Sequence, residues 1–283
     1  MIVEPAPAKI NLALHVRHRR PDGYHELETL FAFATDGDLL TVDHAGADDF
    51  RIDGPFASAL TSSPVQGEGA VSDDNLVTQA RDAFRRAFGI DRHYVIRLTK
   101  NLPVAAGIGG GSADAAATLR ALARLGGIAL ADPRLHAIAA TLGADVPPCL
   151  IGRTALGTGR GDDLATLTGL AGTPLLLVNP GVGVSTAAVF AGWDGVDRGA
   201  LPGGDLLARA RAGRNDLEVP ATALAPVIAE VRALLDAAPG MILSRMSGSG
   251  ATCFALFADS AACNDAASAA GARGWWKLAT TMA

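Results

Sequence analysis

The stretch that decides the fold of this chain is Leu102-Pro103-Val104-Ala105-Ala106-Gly107-Ile108-Gly109-Gly110-Gly111-Ser112. Four of its last six residues are glycine, which lets the backbone take positive φ values and approach a ligand closely. The alanine-rich segment that follows predicts a helix over residues 112–125. Because the first amides of a helix and its dipole favour an anion, the stretch predicts a loop that binds phosphate.

Two common phosphate-binding loops do not fit this spacing. The G-x-G-x-x-G pattern needs a glycine three positions after Gly109, where Ser112 stands. The G-x-x-x-x-G-K-[ST] pattern needs a Gly-Lys pair, and no lysine follows in the predicted helix. A plain flexible turn is the remaining alternative, although such a turn need not end where a helix begins.

The composition indicates a folded chain and excludes several classes of function. Of the 283 residues, 49% are apolar and 19% are charged, which excludes a disordered chain. The net charge of −5 leaves no general basic field for nucleic acid. The N-terminal sequence lacks the basic and apolar regions of a signal peptide. The long uncharged stretch over 164–193 is broken by prolines and glycines, which argues against a membrane span. We therefore expect no nucleic-acid partner and no membrane partner.

The cysteines and lysines carry separate signals. Three cysteines without metal-ligand spacing fit a reduced, cytoplasmic location. The lysines, three among 24 basic residues, are Lys9, Lys100 and Lys277. Where arginine replaces lysine so generally, a lysine that persists indicates a site that needs a compact ammonium group. Chance survival is the alternative for any one of the three.

Strand and helix patterns are mixed along the chain. Alternate residues from Ile10 to Val16 are apolar, with Lys9, Asn11 and His15 between them, which predicts a strand with one apolar and one polar face. Further segments predict strands at 27–33, 39–42, 94–98, 175–178, 241–244, 252–257 and 275–280, and helices at 76–87, 133–142, 226–238 and 260–271. The class is therefore α+β or α/β, with a domain boundary near 151–161.

Two details of the first half are also predicted. Asp73 or Asp74 is expected to cap the helix at 76–87. The polar stretch over 43–69, which contains glycine and proline, is expected to be irregular.

The glycine loop resembles the P-x-x-x-G-[LI]-G-x-[GS]-S-[AS]-x-A motif of the GHMP kinases, the superfamily of galactokinase, homoserine, mevalonate and phosphomevalonate kinases. Further segments resemble a branch of this superfamily in the same order, namely APAKINL (6–12), RPDGYHEL (20–27), LGADVP (142–147), GRNDLE (213–218) and MSGSGA (246–251). The resemblance covers nearly the whole chain. It implies a two-domain α+β fold, with an N-terminal α/β ATP-binding domain over 1–152 and a C-terminal ferredoxin-like domain over 153–283, and with the substrate in the cleft between them.

The resemblance also implies an activity and a set of site residues. The chain is expected to transfer a phosphoryl group from ATP, accompanied by Mg²⁺, to a hydroxyl of a small-molecule cytidine diphosphate-linked substrate. Asp145 is expected to accept the hydroxyl proton, with Lys9 as its charge partner. The residues expected to bind ATP are Asn75, Lys100, Pro103, Gly107, Gly109, Gly110, Gly111 and Ser112. Those expected to bind the substrate are Asn11, Tyr24, His25, Thr186 and Phe190, with Tyr24 and Phe190 on the two faces of the base. No residue is assigned as a metal ligand. The oligomeric state, monomer or homodimer, stays open.

Five of these residues also have a simpler structural interpretation. Asp145 and Asn75 fit the start of a helix, and Lys9 fits the exposed face of a strand. Asn11 fits a cross-strand hydrogen bond, and Phe190 fits the core.

The chain departs from the family pattern at two places. Ala105-Ala106 stands where glycine is frequent, so we expect the loop entry to avoid positive φ. Pro148-Cys149 replaces an aromatic pair.

Two rival functions remain at this point. The first is another kinase of the superfamily, for homoserine or a mevalonate derivative, against which the Pro-Asp-Gly-Tyr-His run argues. The second is a non-catalytic nucleotide-binding regulator, against which the presence of both Lys9 and Asp145 argues.

Overall fold

The structure is a computed structural model that describes residues 1–60 and 75–283. Its first half contains, in order, β1 (Ile2–Arg19), β2 (His25–Ala45), β3 (Asp49–Asp53), a short 3₁₀ helix (Ala57–Ala59), α1 (Leu76–Phe88), β4 (His93–Thr99), α2 (Gly110–Leu125), α3 (Pro133–Leu142) and α4 (Val146–Ile151). Its second half contains β5 (Ala155–Gly159), β6 (Asp163–Thr166), β7 (Pro174–Asn179), α5 (Thr186–Ala191), α6 (Leu206–Ala212), α7 (Glu218–Leu224), α8 (Val227–Asp236), β8 (Met241–Met246), β9 (Cys253–Phe257), α9 (Ser260–Ala272) and β10 (Trp276–Thr281).

The chain forms two compact units. The first contains Met1–Ala8, Asp36–Val104 and Gly109–Gly152, and the second contains Lys9–Thr35, Ala105–Ile108 and Arg153–Ala283. Strands β1 and β2 and the glycine loop therefore contribute residues to both units. The chain passes from the first unit to the second for the last time between residues 152 and 153.

The first unit is built around α2. This helix contacts α1, α3 and α4, and most of its buried residues are alanines, whose small side chains let neighbouring helices approach. Helix α1 begins after Asn75, whose side-chain oxygen accepts a hydrogen bond from the amide of Val77 at 2.9 Å. Asn75 is therefore the cap, not Asp73 or Asp74, which lie outside the described residues.

The sheet of the first unit contains one strand that the sequence did not predict. Residues 39–45 of β2 pair antiparallel with β4, and β3 pairs parallel with β4 on its other side. Strand β3 lies within the stretch expected to be irregular. Only two of its five residues, Phe50 and Ile52, are apolar, so its pattern is too short and too polar to detect.

The second unit contains a four-stranded antiparallel sheet in the order β10-β7-β9-β8. Helices lie between β7 and β8 in the chain, and α9 lies between β9 and β10, so the order is β-α-β-β-α-β. Helix α8 packs on β8 and β9, and α9 packs on β7, β9 and β10. The predicted ferredoxin-like fold of the C-terminal part is confirmed.

The β1 segment of the second unit has two buried faces. Lys9 and Asn11 are each 2% exposed, and His15 is 1% exposed. The polar face of the predicted strand therefore points into the protein, which excludes the interpretation of Lys9 as a solvated surface lysine. Residues 27–31 of β2 pair antiparallel with β5, and β5 pairs with β6.

Within the described ranges, every helix is too short or too polar to cross a bilayer.

Candidate functional site

The glycine loop ends at the start of α2, as the sequence predicts. Gly109 caps this helix with φ 64°, and no side chain makes a capping hydrogen bond to it. The first helical hydrogen bond runs from the amide of Ala113 to the carbonyl of Gly109 at 2.8 Å, so the amides of residues 110–112 precede the helical ladder. Gly111 is exposed and Ser112 is half-buried. These amides at the positive end of the dipole fit a phosphate group.

Ala105 contradicts the expectation for the loop entry. Its φ is 53°, in the left-handed region that favours glycine. An alanine in this conformation carries a strain of about 1 kcal/mol. The loop thus takes the backbone conformation of a glycine despite the methyl group, and the prediction that alanine keeps this position out of positive φ is wrong.

Gly107 interlocks with a second glycine turn, Ser247–Gly250. A Cβ atom on Gly107 would lie 2.5 Å from the carbonyl oxygen of Ser247 and 2.6 Å from that of Gly250. The Ser247 hydroxyl donates to the carbonyl of Gly107 at 2.9 Å. The close approach of two backbones requires a residue without a side chain at position 107. The turn therefore lies against Gly107 of the glycine loop.

Lys9 and Asn11 lie beside the same turn. The ammonium of Lys9 donates to the side-chain oxygen of Asn11 at 3.0 Å and lies 5.4 Å from the ring centre of Phe31. The backbone amide of Asn11 donates to the hydroxyl of Ser247 at 3.2 Å, and its side-chain amide donates to the hydroxyl of Thr29 at 2.8 Å. Asn11 therefore makes the cross-strand hydrogen bond and also orients the buried ammonium.

Asn215 and Thr186 also hold the second turn. The side-chain amide of Asn215 donates to the carbonyls of Met246 and Gly248, at 2.8 Å each. The hydroxyl of Thr186, at the start of α5, lies 2.9 Å from that of Ser249. Sequence reasoning assigned Thr186 to the site but gave Asn215 no role. The GRNDLE match was the available signal for it.

The aromatic residues expected to hold a base form two separate contacts. His25 stacks on Phe190 with ring centres 4.9 Å apart, and it meets Trp193 edge-on at 5.6 Å. Tyr24 is 55% exposed, and the guanidinium of Arg160 lies 5.2 Å from its ring centre. Burial, followed by the nearby Arg19, lowers the pKa of His25, which favours the neutral imidazole. Sequence reasoning did not single out Arg160, and it gave Trp193 no role.

Lys100 is buried beneath the glycine loop. Its ammonium donates to the carboxylate of Asp38 and, at 2.7 Å, to that of Asp114. A Cβ atom on Gly110 would lie 3.1 Å from the ammonium nitrogen, so this group lies directly against the start of α2. Two carboxylates thus enclose the ammonium, and the expected contact of Lys100 with the base and ribose of ATP stays a prediction. Sequence reasoning missed Asp38 and Asp114, because carboxylates that meet a lysine from distant segments leave no spacing pattern.

The structure places Asn75 and Pro103 near the same loop. A Cβ atom on Gly111 would lie 3.6 Å from Leu76, so the starts of α1 and α2 lie side by side. Asn75 stands at the start of α1, which agrees with its simpler structural interpretation. The same position also adjoins the predicted phosphate site. Pro103 is buried at the loop entry.

Asp145 immediately precedes α4. It is half-buried, and its side chain makes no capping hydrogen bond to that helix. The interpretation of Asp145 as a side-chain cap of α4 therefore has no support in the geometry. Asp145 belongs to the first unit and Lys9 to the second, and their pairing stays a prediction.

Comparison with known proteins points to one family. The model for the GHMP kinases N terminal domain matches residues 75–153, and that for the GHMP kinases C terminal domain matches residues 200–274. The 4-diphosphocytidyl-2-C-methyl-D-erythritol kinase of Rhizorhabdus wittichii is 56% identical, over 99% of this chain and 94% of its own length. The kinase of the same name from Sphingopyxis alaskensis is 50% identical, over 97% and 96%.

Solved structures agree with these relatives. A crystal structure of 4-(cytidine 5'-diphospho)-2C-methyl-D-erythritol kinase matches with a TM-score of 0.79 at 36% identity, over 99% of both chains. A homoserine kinase from Cytophaga hutchinsonii matches with a TM-score of 0.69 at 19% identity, over 99% of this chain and 93% of its own, which shows a shared fold alone.

Gly107→Ala is expected to lower the free energy of unfolding by roughly 2–3 kcal/mol, because the new methyl group overlaps two carbonyl oxygens and φ is 75°. Chemical denaturation measures this change. Gly172→Ala is the matched control, because Gly172 has φ 76° and no atom within 4 Å of its Cβ position. Equal losses in the two variants would show that the two turns do not interlock.

Asp114→Asn is expected to flatten the pH dependence of stability. Burial raises the pKa of Asp114 to about 7, with Asp38 adding to the rise and Lys100 opposing it. Because the folded-state pKa lies above the unfolded value, the contribution of Asp114 to stability is full below about pH 4 and is lost as the pH rises through about 7. Urea denaturation at about pH 5 and about pH 7.5 should show a smaller difference in unfolding free energy for the variant, by about 1 kcal/mol or more. An unchanged difference contradicts the raised pKa.

Proposed function

Because this chain belongs to the GHMP kinases and, within them, to the 4-diphosphocytidyl-2-C-methyl-D-erythritol kinases, we infer that it transfers a phosphoryl group from ATP to 4-diphosphocytidyl-2-C-methyl-D-erythritol. The reaction belongs to the methylerythritol phosphate pathway of isoprenoid precursor synthesis. The group that accepts the phosphoryl is the 2-hydroxyl of 4-diphosphocytidyl-2-C-methyl-D-erythritol. The observation that carries this function is the 56% identity over nearly the full length of both chains. The glycine loop at the start of α2, where no side chain makes a capping hydrogen bond, supplies the matching chemistry.

The rival functions are less well supported. The likeness to a homoserine kinase, at 19% identity, extends to the fold and no further. A regulator without activity has no need of a buried ammonium beside the glycine turns, and Lys9 occupies that position.

The start of α2 suits the phosphates of ATP, because the amides of residues 110–112 lie at the positive end of the helix dipole. Mg²⁺ is proposed to arrive with ATP, since it offsets phosphate charge. In the described part of the chain, no group of three His, Cys, Asp or Glu side chains is placed to hold a metal ion. That finding is compatible with Mg²⁺, which keeps several waters and takes most of its other ligands from substrate phosphates.

We propose Asp145 as the acceptor of the hydroxyl proton and Lys9 as the group that stabilises charge on the attacking oxygen. In the transfer, a bond forms between the acceptor oxygen and the γ-phosphorus, the bond from that phosphorus to the leaving oxygen breaks, and the proton passes to Asp145. The support is that Asp145 is half-buried immediately before α4 and that Asn11 orients the Lys9 ammonium. A compact, desolvated cation stabilises developing charge more strongly than a solvated one.

The substrate side is proposed to involve Asn11, Tyr24, His25, Thr186 and Phe190. A neutral His25 offers one donor and one acceptor nitrogen, which suits the edge of a pyrimidine. Its stacking on Phe190 fixes the plane of the imidazole, and the exposed ring of Tyr24 offers a face for the base. The N-terminal domain over 1–152 and the C-terminal domain over 153–283 are part of the same proposal.

A coupled assay of ADP release tests the function directly. We expect kcat/KM with 4-diphosphocytidyl-2-C-methyl-D-erythritol to exceed that with homoserine or mevalonate by at least about 100-fold, because a site that binds a base by hydrogen bonds rejects substrates that lack it. Comparable turnover of either small acceptor would refute the assignment.

Asp145→Asn is expected to lower kcat by about 10²- to 10⁴-fold, because the amide cannot accept the proton. The KM values for ATP and for the acceptor should change by no more than about threefold. Asp132→Asn is the control, because it makes the same change in the same unit at an aspartate whose side chain caps α3. Turnover by Asp145→Asn at the full rate removes the proton acceptor from the mechanism.

A further inference from the structure

Three charged side chains from distant segments meet in the interior of the first unit. Asp38 comes from β2, Lys100 follows β4, and Asp114 lies in the first turns of α2. Each of the three side chains is no more than 3% exposed. The ammonium of Lys100 donates to both carboxylates. These contacts join the segment before the glycine loop to the helix after it.

Asp38 holds the loop entry with both of its oxygens. Its Oδ1 accepts hydrogen bonds from the amides of Asn101 at 2.6 Å and of Leu102 at 2.8 Å. Its Oδ2 accepts from Lys100. One carboxylate therefore fixes three consecutive residues, and the last of them is the first residue of the loop.

Lys100 carries the connection to the far end of the loop. Its ammonium donates to Asp114 at 2.7 Å, and it lies against the backbone of Gly110. A Cβ atom on Gly110 would lie 3.1 Å from the ammonium nitrogen and 3.7 Å from Oδ2 of Asp38. The charged cluster therefore contacts the residue with which α2 begins. A larger residue at position 110 would displace it.

The cluster is poorly suited to stability alone. Two carboxylates share one ammonium, and Oδ1 of Asp114 is buried with no hydrogen-bond partner among the described residues. Burial raises the pKa of Asp114, and the nearby Lys100 opposes this rise. Buried ion pairs often contribute no more stability than apolar residues of the same volume. The feature that an apolar core would not supply is the connection between the two ends of one loop.

We propose that Asp38, Lys100 and Asp114 form an ionic staple that holds the two ends of the glycine loop, residues 102 and 110, at the separation that phosphate binding requires. The three are positioning residues, which act on ATP through the backbone of the loop. This inference rests on the proposed function, because that function makes the loop the site of the ATP phosphates.

The test measures the binding of a non-hydrolysable ATP analogue and the KM values for ATP and the acceptor in Asp38→Asn. The amide oxygen of the new side chain keeps the two backbone hydrogen bonds, while its NH₂ group repels the ammonium of Lys100. We expect about tenfold weaker analogue binding and a similar rise in KM for ATP. The KM for the acceptor should stay within about twofold, a split that a general loss of stability would not produce.

Glu4→Gln is the matched control. Glu4 is a carboxylate with a side chain 3% exposed, and it pairs with Arg120 at 2.6 Å and Arg124 at 2.9 Å on the same helix α2, beyond the turns that hold Asp114. This variant removes a buried charge from the same unit without touching the loop. We expect it to bind the analogue as the wild type does.

The outcomes separate the inference from the proposed function. A wild-type protein that fails to bind the analogue contradicts the proposed function itself. A wild type that binds, together with a folded Asp38→Asn variant that binds equally well, overturns the staple, and so does a Glu4→Gln variant that loses the same affinity. If Asp38→Asn does not fold, the milder Asp114→Asn takes its place in the same measurement, where unchanged ATP affinity also overturns the staple.

Discussion

A buried ammonium group is costly unless oxygen atoms surround it, and this constraint acts within each of the two units. Lys9 and Lys100 are each 2% exposed, although lysine is rare in the chain. Lys100 organises the first unit at the start of α2, where two carboxylates from distant segments converge on it. Lys9 organises the second, where Asn11 links it to the turn that meets Gly107. The third lysine, Lys277, is exposed, so burial separates Lys9 and Lys100 from it.

Patterns local in sequence predicted much of the fold. The glycine run followed by alanines predicts α2, which begins two residues earlier than expected, at Gly110, and the pattern over 133–142 predicts α3 with its correct bounds. Strands with strong alternation or continuous apolar runs were also predictable. Strand β3 was not, because its stability comes from pairing with β4 and from little in its own five residues. The predicted cap of α1 lies one or two residues before the observed cap, Asn75, because aspartate and asparagine are equally good caps.

Site residues that belong to a sequence motif were predictable. Site residues that meet only through tertiary structure were not. Gly107 and the second glycine turn were matched as motifs, and the structure shows the steric reason for both. The position of Lys100 two residues before the loop predicts a contact with ATP, but only the tertiary structure reveals that Asp38 and Asp114 enclose its ammonium. The conformation of Ala105 had no sequence signal, because the surrounding backbone imposes it against the preference of the residue itself.

The indole of Trp193 gives the protein an internal optical reporter. It meets His25 edge-on, whereas the other two tryptophans, Trp275 and Trp276, stand together at the start of β10. Light emission from an indole depends on the rings and charges that touch it, so a molecule that disturbs His25 alters one fluorophore and leaves a steady background from the other two. Occupancy on that side of the protein is therefore readable in solution without attaching a dye.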